Sequence, residues 1–352
     1  MLYLCLYKVW KRGCRYMDNI EVSVYCLSYN CVNFIEKAID GIVNQKTNFN
    51  YKLIIHDDAS SDGTADVIRK KVKEYPEKIY AILQERNQYS RGINILKEYL
   101  EPNVEGDFVA ICEGDDCWID NNKLQLQYDF MNEHPECSLC THNTIDYDLA
   151  SGKKGLFNHW EACHELTVNE VFESGGVHTS SYFLRKSCAD WPGDQYWFGD
   201  YMMLTWAFYR GKVFSLPQVM SIYNRNNTNG FMHQLQTETL SERNKKRRMK
   251  IEYLHEFNQI TQCKYSDIVK RVCESIEYHC SREECDFIIL HSKSKKDCIK
   301  AAQKMSSQEY YKNYIKSRHG FGRIMARFNY EGYFCYPLWK LIKKLYPIIF
   351  KN

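Results

Sequence analysis

Hydrophobic and polar positions alternate in blocks along the first third of the chain. Short apolar runs typical of strands alternate with segments of helical periodicity, in the order 20–27, 33–45, 51–56, 64–75, 79–83, 93–100 and 108–112. This β-α-β-α-β-α-β order predicts an α/β fold with a Rossmann-like, mainly parallel sheet flanked by helices. Because right-handed crossovers bring the carboxyl ends of parallel strands to one edge, we expect the polar residues that follow these strands to converge there.

The pattern continues less regularly after the fourth strand. It predicts a polar loop that closes over a site at 223–232 and, before it, helices and strands at 123–134, 137–141, 165–173, 179–185, 197–211 and 213–223. The remainder reads as polar, charged helices. We therefore expect three regions, an N-terminal extension at 1–19, an α/β domain at 20–232 and a helical C-terminal region at 233–352.

The segment 106–119, GDFVAICEGDDCWI, carries the strongest chemical signal. Its apolar run ends abruptly in Glu113, Asp115 and Asp116. Carboxylates massed at the end of a buried strand are costly unless a cation lies among them. Without nearby His or Cys they suit Mg2+ or Mn2+, which usually bridge to substrate phosphates. The plainer alternative is an acidic surface turn, but the strand context favours the metal site.

Two other strand ends carry polar residues. Ser28, Tyr29 and Asn30 follow the first strand, and Asp57 and Asp58 follow the second. We expect them to lie beside the acidic segment, since all three strands end at the same edge. No Gly-rich phosphate loop of the G-x-G-x-x-G or Walker type follows the first strand, which argues against a dinucleotide enzyme or an NTPase.

Composition places the chain among ordinary globular proteins. Charged residues make up 26% and hydrophobic residues 44%, with a formal net charge of +3. The 16 cysteines are scattered, many of them within apolar runs, which indicates reduced thiols in a cytosolic protein. Cys137 and Cys140 form a C-x-x-C without a second pair at zinc-site spacing, so we interpret them as core thiols.

The two ends of the chain combine apolar and basic residues. Residues 1–17 are too short to span a bilayer, and their charge order is reversed for a signal peptide. They are either a peripheral anchor or an upstream extension if synthesis begins at Met17. Residues 243–250 are basic, and residues 333–350 are aromatic and basic. These suit peripheral contact with the inner face of the plasma membrane, or a helical cap with its lysines in water.

Four motifs together resemble glycosyltransferase family 2, the inverting nucleotide-sugar transferases of GT-A fold. They are VSVYCLSYN, LIIHDDASSDGT, EGDDCW followed by KLQLQYDFMNEHP, and FGDYMM, within 21–232. The resemblance implies transfer of a monosaccharide from a nucleotide-sugar, foremost a UDP-sugar, to a glycan or lipid-linked acceptor. It also implies Mn2+ or Mg2+ as the cofactor, no nucleic-acid partner, and a cytoplasmic role in synthesis of capsule, lipopolysaccharide or a similar polysaccharide.

The resemblance also implies roles for individual residues. Tyr29 would lie along the base, Asp58 would accept its ring N–H, Asp57 would orient the loop, and Arg91 would approach the pyrophosphate. The implied nucleotide-binding set is Ser28, Tyr29, Asn30, Asp57, Asp58, Arg91 and Asp115.

The resemblance assigns metal binding and catalysis to a second set of residues. The resemblance implies that Asp116 ligates the metal directly, with Asp115 nearer the ribose or sugar, and that Asp200 is the catalytic base. The chemistry agrees, because a departing nucleoside diphosphate needs a divalent cation and an acceptor hydroxyl needs a carboxylate to take its proton. Glu113 stands where many members carry Asp, so its role is open.

The chain departs from the family pattern in the closing loop. Many relatives carry a histidine shortly after a Tyr-Arg pair, whereas residues 223–226 read YNRN. Arg225 or His233 would then contact the phosphates. His178, in GGVHTSS, is either a further site residue or a packed or solvent-facing histidine.

The sequence alone leaves two alternative functions. A nucleotidyltransferase shares the sheet topology and the acidic metal site, but residues 28–33 (SYNCVN) lack its usual Gly-rich basic loop. A catalytically inactive nucleotide-binding relative is the other alternative, against which the joint presence of Asp58, Asp115, Asp116 and Asp200 argues.

Overall fold

The protein is described by a computed structural model, whose described residues are 19–172, 176–188, 196, 199–227 and 238–307. The strands are β1 (Ile20–Ser28), β2 (Asn50–Asp57), β3 (Ile79–Leu83), β4 (Phe108–Ile111), β5 (Cys117–Trp118), β6 (Cys137–Asp148), β7 (Lys154–Leu156), β8 (His164–Leu166), β9 (Phe183–Arg185) and β10 (Lys212–Arg225). The helices are α1 (Ile35–Val43), α2 (Thr64–Glu74), α3 (Lys123–Glu133), α4 (Val168–Phe172), α5 (Gly199–Arg210), α6 (Leu240–Ile260), α7 (Ser266–His291) and α8 (Lys295–Ser307).

One sheet runs through the first part of the chain, in the order β3-β2-β1-β4-β9-β6-β10-β5, with β7 on β6 and β8 on β10. Strands β1, β2, β3 and β4 are mutually parallel where they pair. In this register Ser28 lies opposite Asp57, and Tyr25 lies opposite Ile111. The carboxyl ends of β1, β2 and β4 therefore share one edge, as the sequence predicted.

Beyond β4 the sheet becomes mixed. Strand β9 is antiparallel to both of its neighbours, β4 and β6, whereas β6 and β10 are parallel to each other. The short strands β5, β7 and β8 add antiparallel pairs. Antiparallel pairs need no helical crossover, so short segments between the long strands can join the sheet this way. The α/β class is confirmed, and the parallel pattern holds for the part that carries the predicted nucleotide site.

Helices α1 and α2 pack against the parallel strands because their apolar residues recur at helical spacing. Ile35, Ile39 and Ile42 are fully buried on one face of α1. The Lys71 ammonium of α2 is 2.6 Å from an Asp40 carboxylate oxygen on α1, which ties the two helices together. This packing fixes the loops that begin each helix, and those loops hold the predicted nucleotide-binding residues.

Several predicted elements differ in the structure. The helix predicted at 93–100 is mainly a π-helical turn, Leu96–Leu100. The strand predicted at 179–185 divides into a 3-10 turn, Thr179–Ser181, and β9. The helix predicted at 165–173 begins only at Val168 because His164–Leu166 pairs with β10 and the Glu170 carboxylate accepts the Thr167 N–H at 2.7 Å.

Two long strands also exceed their predicted lengths. Strand β6 extends to Asp148 and β10 to Arg225, because the two pair with each other along most of their length. The first residues of the predicted closing loop are thus strand, and its residues 228–232 lie outside the described residues.

The chain divides into two compact units, Met1–Thr237 and Glu238–Asn352. In the second unit α6 begins with a capping box, in which Thr239 and Glu242 satisfy each other's backbone N–H groups. Among the described residues, no helix combines the length and apolarity that crossing a bilayer requires. The described cysteines are free thiols, and Cys137 and Cys140 are both buried, in agreement with their interpretation as core residues.

Candidate active site

The loops that follow β1 and β2 are braced against each other by hydrogen bonds. Asn30 has a left-handed backbone, with φ 49°, and its side-chain oxygen accepts the Ser61 N–H at 2.9 Å. Its own N–H donates to Ser60 Oγ at 2.9 Å, and the Val32 N–H donates to Asp62 Oδ2 at 3.0 Å. Because every one of these bonds joins the two loops, they form a single frame.

Asp57 lies inside this frame with its carboxylate fully engaged. Its Oδ1 accepts hydrogen bonds from Ser28 Oγ at 3.0 Å and from Ser60 Oγ at 2.6 Å. Its Oδ2 accepts the Ser60 N–H at 3.1 Å. These contacts match the loop-orienting role expected for Asp57, and they place Ser28 as one of its donors.

Asp58 is also buried and hydrogen-bonded, but to a third loop. Its Oδ1 accepts the Gln88 N–H at 2.7 Å, and its Oδ2 accepts the Tyr89 N–H at 3.0 Å. These residues begin the 3-10 turn Tyr89–Arg91. Asp58 therefore holds the loop that carries Arg91. Each carboxylate oxygen retains a second lone pair, so the predicted contact with a base N–H is chemically compatible with this arrangement.

Exposed side chains surround this frame. Tyr29 and Tyr89 are 39% and 41% exposed. Arg91 is exposed, and its guanidinium donates to the Gln88 side-chain oxygen at 3.0 Å. An aromatic ring and a cation are thus available at the surface where base and pyrophosphate contacts were predicted. Tyr89 was not singled out from the sequence, because nothing in a loop tyrosine distinguishes it.

The acidic loop 113–116 packs closely against the end of β1. The Gly114 N–H donates to the Leu27 carbonyl at 2.7 Å. A Cβ atom on Gly114 would lie 2.9 Å from both Cys31 Sγ and Ser28 Cβ, so only glycine permits this approach. The predicted convergence of the three strand ends is therefore present, and this glycine is the reason that the carboxylates come so close to β1.

Asp116 is the most deeply buried carboxylate of this loop, at 2% exposure. Its Oδ2 is buried without a hydrogen-bond donor among the described residues. Burial, together with the negative charges of Asp115 and Glu113, raises the pKa of Asp116. A buried carboxylate oxygen without a donor is what a metal cation would satisfy.

Glu113 and Asp115 share the same environment. Burial raises the pKa of Glu113 to about 8, with further contributions from the charges of Asp115 and Asp200. Burial also raises the pKa of Asp115, against the opposing effect of a hydrogen bond from Asn227. Asn227 donates to Asp115 Oδ2 at 3.2 Å, and Asn224 donates to the Asp115 carbonyl at 2.7 Å. The sequence marked 223–232 only as a polar loop, and did not indicate that these two asparagines hold Asp115.

His178 faces Asp116 but forms no ion pair with it. Its Nδ1 lies 3.6 Å from Asp116 Oδ2 and accepts the Ser180 N–H at 3.2 Å, so this nitrogen carries no proton. Burial lowers the pKa of His178 to about 3, which also keeps the ring neutral. Tyr223 stacks on the imidazole at 4.1 Å between ring centroids. His178 is therefore a packed histidine that lies beside Asp116, and its role as a site residue stays a prediction.

A chain of hydrogen-bonded hydroxyl groups begins at His178 Nδ1. Ser180 Oγ lies 2.9 Å from His178 Nδ1 and 2.9 Å from Ser221 Oγ, which lies 3.0 Å from Thr144 Oγ1. All three hydroxyl-bearing residues are fully buried. This network links the 3-10 turn to β6 and β10 and fixes the plane of the imidazole.

Asp200 reaches the same region from the first turn of α5. It is exposed, and its Oδ1 accepts the Tyr201 N–H at 2.7 Å. Its negative charge contributes to the raised pKa of Glu113, which places it within electrostatic range of the acidic loop. A Cβ on Gly199 would lie 2.6 Å from Leu96 Cδ1, so glycine lets the start of α5 pack against the π-helical turn. Glu173 and Asp194, which we take as the next candidates for the base after Asp200, lie outside the described residues.

Arg225 is already paired. Its Nε donates to both carboxylate oxygens of Asp146, at 2.9 and 3.1 Å, and its Nη2 lies 3.7 Å from Asp148 Oδ2. The guanidinium is thus engaged by two carboxylates of β6, and its role at a phosphate stays a prediction. His233, the other candidate for that contact, lies outside the described residues.

A buried lysine lies beneath the acidic loop. Lys123 of α3 is fully buried, with its Nζ 3.9 Å from the centroid of the Trp118 ring and 2.7 Å from Gln127 Oε1. Trp118 Nε1 donates to the Ser180 carbonyl at 2.9 Å. Lys123 of α3 therefore contacts Trp118, which follows the acidic loop, and Trp118 in turn bonds the turn that carries His178. Its position in the KLQLQ motif was visible from the sequence, but its burial was not.

The donor set is consistent with a divalent cation of which the protein supplies only part of the coordination. In the described part of the chain, no three His, Cys, Asp or Glu side chains are grouped as a complete metal site. The unsatisfied Asp116 oxygen and the adjacent Asp115 carboxylate are hard oxygen ligands of the kind that Mg2+ and Mn2+ prefer. Enzymes of the GT-A fold generally use a divalent metal.

The architecture is that of the GT-A fold, with an acidic loop at the shared strand edge. Chain 1–349 of Staphylococcus aureus TarS in complex with UDP-GlcNAc superimposes with a TM-score of 0.59, covering 93% of this chain and 91% of that chain at 14% identity. Such a low identity establishes the fold alone.

Comparison with known sequences matches part of the chain to a protein family and to several relatives. The model described as Glycosyl transferase family 2 matches residues 23–189. The Escherichia coli protein named UDP-Glc:alpha-D-GlcNAc-diphosphoundecaprenol beta-1,3-glucosyltransferase WfgD is 34% identical over 171 residues, which are 49% of this chain and 62% of that protein. An uncharacterized protein of Mycobacterium tuberculosis is 29% identical over 219 residues, which are 62% of each chain. Residues 23–189 therefore match glycosyltransferase family 2, the family that the motifs indicated.

Proposed function

We propose that the protein is an inverting glycosyltransferase of cell-surface polysaccharide synthesis, which transfers a monosaccharide from a UDP-sugar to a glycan or lipid-linked acceptor. The observation that carries the proposal is the convergence of the acidic loop with two braced loops and with Asp200. A relative whose name specifies UDP-Glc as donor and a diphosphoundecaprenol-linked acceptor supports it. We place this activity in the cytoplasm, in line with the expectation from the sequence.

The base chemistry follows from the position of Asp200. Its carboxylate is exposed at the start of α5, so an acceptor hydroxyl can approach it from solvent. It comes from a different segment than the acidic loop, which suits proton removal on the side of the sugar opposite the leaving diphosphate. One displacement with one base inverts the anomeric centre and requires no covalent carboxylate intermediate.

The carboxylates of the acidic loop would hold the cation. Asp116 and Asp115 are the residues that would bind Mn2+ or Mg2+, which when bound stabilises the charge that develops on the departing diphosphate. Tyr29, Asp58 and Arg91 would bind the base and pyrophosphate. Asn224 holds the acidic loop in place through its hydrogen bond to the Asp115 carbonyl.

The test is donor hydrolysis by the full chain with a panel of UDP-, GDP- and dTDP-sugars, with Mn2+, Mg2+ or EDTA. We expect release of UDP from at least one UDP-sugar, lost in EDTA and restored by the metal. Synthesis of a nucleotide-sugar from a nucleoside triphosphate and a sugar 1-phosphate, with no donor hydrolysis, would instead identify a nucleotidyltransferase. Nucleotide binding without either reaction would identify an inactive relative.

We also propose that the protein contacts the inner face of the plasma membrane peripherally, through its C-terminal residues. Within the second unit, the basic segment of α6 is largely engaged, since Arg247 and Arg248 pair with Glu283 and Glu284 at 2.7 and 3.3 Å. The lysines at 340, 343 and 344 are therefore the cations on which we expect attachment to depend. Each contributes on the order of 1 kcal/mol near an anionic surface.

Flotation of the full chain with phosphatidylglycerol vesicles tests this attachment. Charge reversal at Lys340, Lys343 and Lys344 should abolish flotation while donor hydrolysis is kept, whereas reversal of Lys70 and Lys73 on α2 serves as the matched control. Equal flotation of both variants would favour a helical cap with solvated lysines.

A further inference from the structure

Three rings form a continuous wall beside the acidic loop. The His178 imidazole stacks on Tyr223, and Phe157 meets His178 edge-on at 5.4 Å and Tyr223 edge-on at 6.1 Å between centroids. His178 Nδ1 is also 3.6 Å from Asp116 Oδ2, so the wall adjoins the carboxylate most suited to the metal. Phe157 itself is 40% exposed.

Hydrogen bonds hold the backbone at Phe157 and at the residue that follows it. The Phe157 N–H donates to the Thr144 carbonyl at 2.8 Å, and the next residue, Asn158, is buried. The Asn158 side chain accepts the Thr144 N–H at 3.2 Å and donates to the His142 carbonyl at 3.2 Å. The backbone around Phe157 is thus held by hydrogen bonds while its large apolar side chain is partly exposed to solvent. Such pre-organisation lowers the cost of ordering a contact when a ligand binds.

The chemistry of the wall fits a pyranose ring. A sugar presents a face of C–H groups, whose hydrogens carry partial positive charge, and a rim of hydroxyls. Aromatic faces are electronegative and apolar, so they complement the C–H face. Since His178 Nδ1 accepts a backbone N–H, the neutral ring carries its proton on Nε2, a donor suited to a hydroxyl at the rim. Apolar walls with a few placed polar groups are the usual make-up of ligand sites.

We propose that Phe157, with His178 and Tyr223, forms a binding subsite for one pyranose ring next to the nucleotide site. The inference rests on the proposed transferase function and adds to it the place where a sugar is held. Two sugars share this chemistry, the one being transferred and the terminal one of the acceptor, and kinetic measurements separate them.

The experiment compares Phe157→Leu with Phe157→Tyr and with Leu156→Ala. Leucine removes the ring but keeps an apolar side chain, whereas tyrosine keeps the ring. Leu156 is 45% exposed and belongs to β7, so it serves as the matched control. Thermal unfolding of all three variants should lie close to that of the wild type, because both positions are partly exposed to solvent.

Three quantities are measured for each variant: affinity for UDP, affinity for the UDP-sugar that hydrolysis identifies, and KM for aryl glycosides supplied as acceptors. For Phe157→Leu we expect unchanged UDP affinity and about a tenfold weakening of one sugar-dependent step, equivalent to about 1.4 kcal/mol. A tenfold rise in acceptor KM assigns the subsite to the acceptor, and a tenfold loss of UDP-sugar affinity assigns it to the donor sugar. Phe157→Tyr should retain wild-type values.

Equal values for Phe157→Leu and the wild type would overturn the subsite, as would the same loss in Leu156→Ala. Failure of the transferase function itself looks different, because the wild-type protein would then hydrolyse no UDP-sugar.

Discussion

Two pairs of carboxylates lie near the same strand ends and differ in their bonding. Asp57 and Asp58 are 1% and 3% exposed, and each oxygen of both accepts at least one hydrogen bond. Asp116 is 2% exposed, yet its Oδ2 has no donor among the described residues, and it adjoins the partly satisfied Asp115. Burial alone therefore does not separate a structural carboxylate from one that binds a ligand.

The difference lies in what compensates the negative charge. A buried carboxylate that accepts backbone N–H bonds is stabilised in its ionised form, and it organises the chain around it. A buried carboxylate beside other carboxylates is destabilised when ionised, until a cation joins it. Asp57 and Asp58 shape the loops of the site, whereas the negative charge of Asp116 is what the proposed metal would compensate. Each prediction below tests one side of this difference.

The largest effect is expected from Asp116→Ala. Removing this side chain deletes the ligand that lacks a donor, so metal-dependent donor binding should be abolished. The fold should remain intact, because deletion also relieves repulsion from Asp115 and Glu113. Calorimetric titration of UDP with and without Mn2+ measures the effect. A variant whose affinity for UDP still depends on Mn2+ as in the wild type would remove Asp116 from the metal site.

Asp200→Asn should have the next largest effect, and on a different step. The amide keeps the size of the side chain but cannot take a proton, so sugar transfer should fall by about a hundredfold or more. Affinity for UDP should remain, since Asp200 is exposed on α5 and outside the nucleotide loops. Transfer at nearly the wild-type rate would show that the base lies elsewhere, with Glu173 and Asp194 the next residues to test.

Much of the nucleotide half of the site could be predicted because it depends on local patterns. Apolar runs that end in Asp57 and Asp116 indicated both the strands and their shared edge, and β3 has the predicted bounds. The hydrogen-bond donors could not be predicted in this way. Asn224 and Asn227 reach Asp115 only because β10 extends beyond its predicted end, which depends on pairing with a distant strand.

The smaller effect of Asp58→Asn concerns stability. An Asn side chain can satisfy one of the N–H groups of Gln88 and Tyr89, but it turns its own N–H2 toward the other. One unsatisfied buried donor costs about 1–3 kcal/mol, so the free energy of unfolding should fall by that amount. Urea unfolding of the metal-free protein measures it. Asp116→Asn is the matched variant, and the comparison fails if it destabilises the protein as much as Asp58→Asn does.

The smallest effect concerns the buried cation, Lys123, which contacts Trp118 and Gln127 and not the carboxylates. Burial lowers the pKa of Lys123 from 10.5 to about 7. Between pH 7 and pH 10.5 this lysine holds a proton in the unfolded chain and lacks it in the folded chain. The free energy of unfolding therefore rises as the pH is raised over this range. The penalty for burying the charge is full below pH 7 and absent above 10.5.

Lys123→Met removes this titration while keeping an unbranched side chain over the Trp118 ring. The wild type should therefore gain stability relative to the variant from pH 7 to pH 9, by at most about 1.4 kcal/mol per pH unit. Urea unfolding of both proteins at pH 7, 8 and 9 measures the difference, in which the other titrating groups cancel. The loss of the Gln127 hydrogen bond shifts all three values equally and does not affect the slope. A difference that is constant with pH would mean that folded Lys123 keeps its proton through pH 9, with the Trp118 ring and Gln127 sufficient to hold the charge.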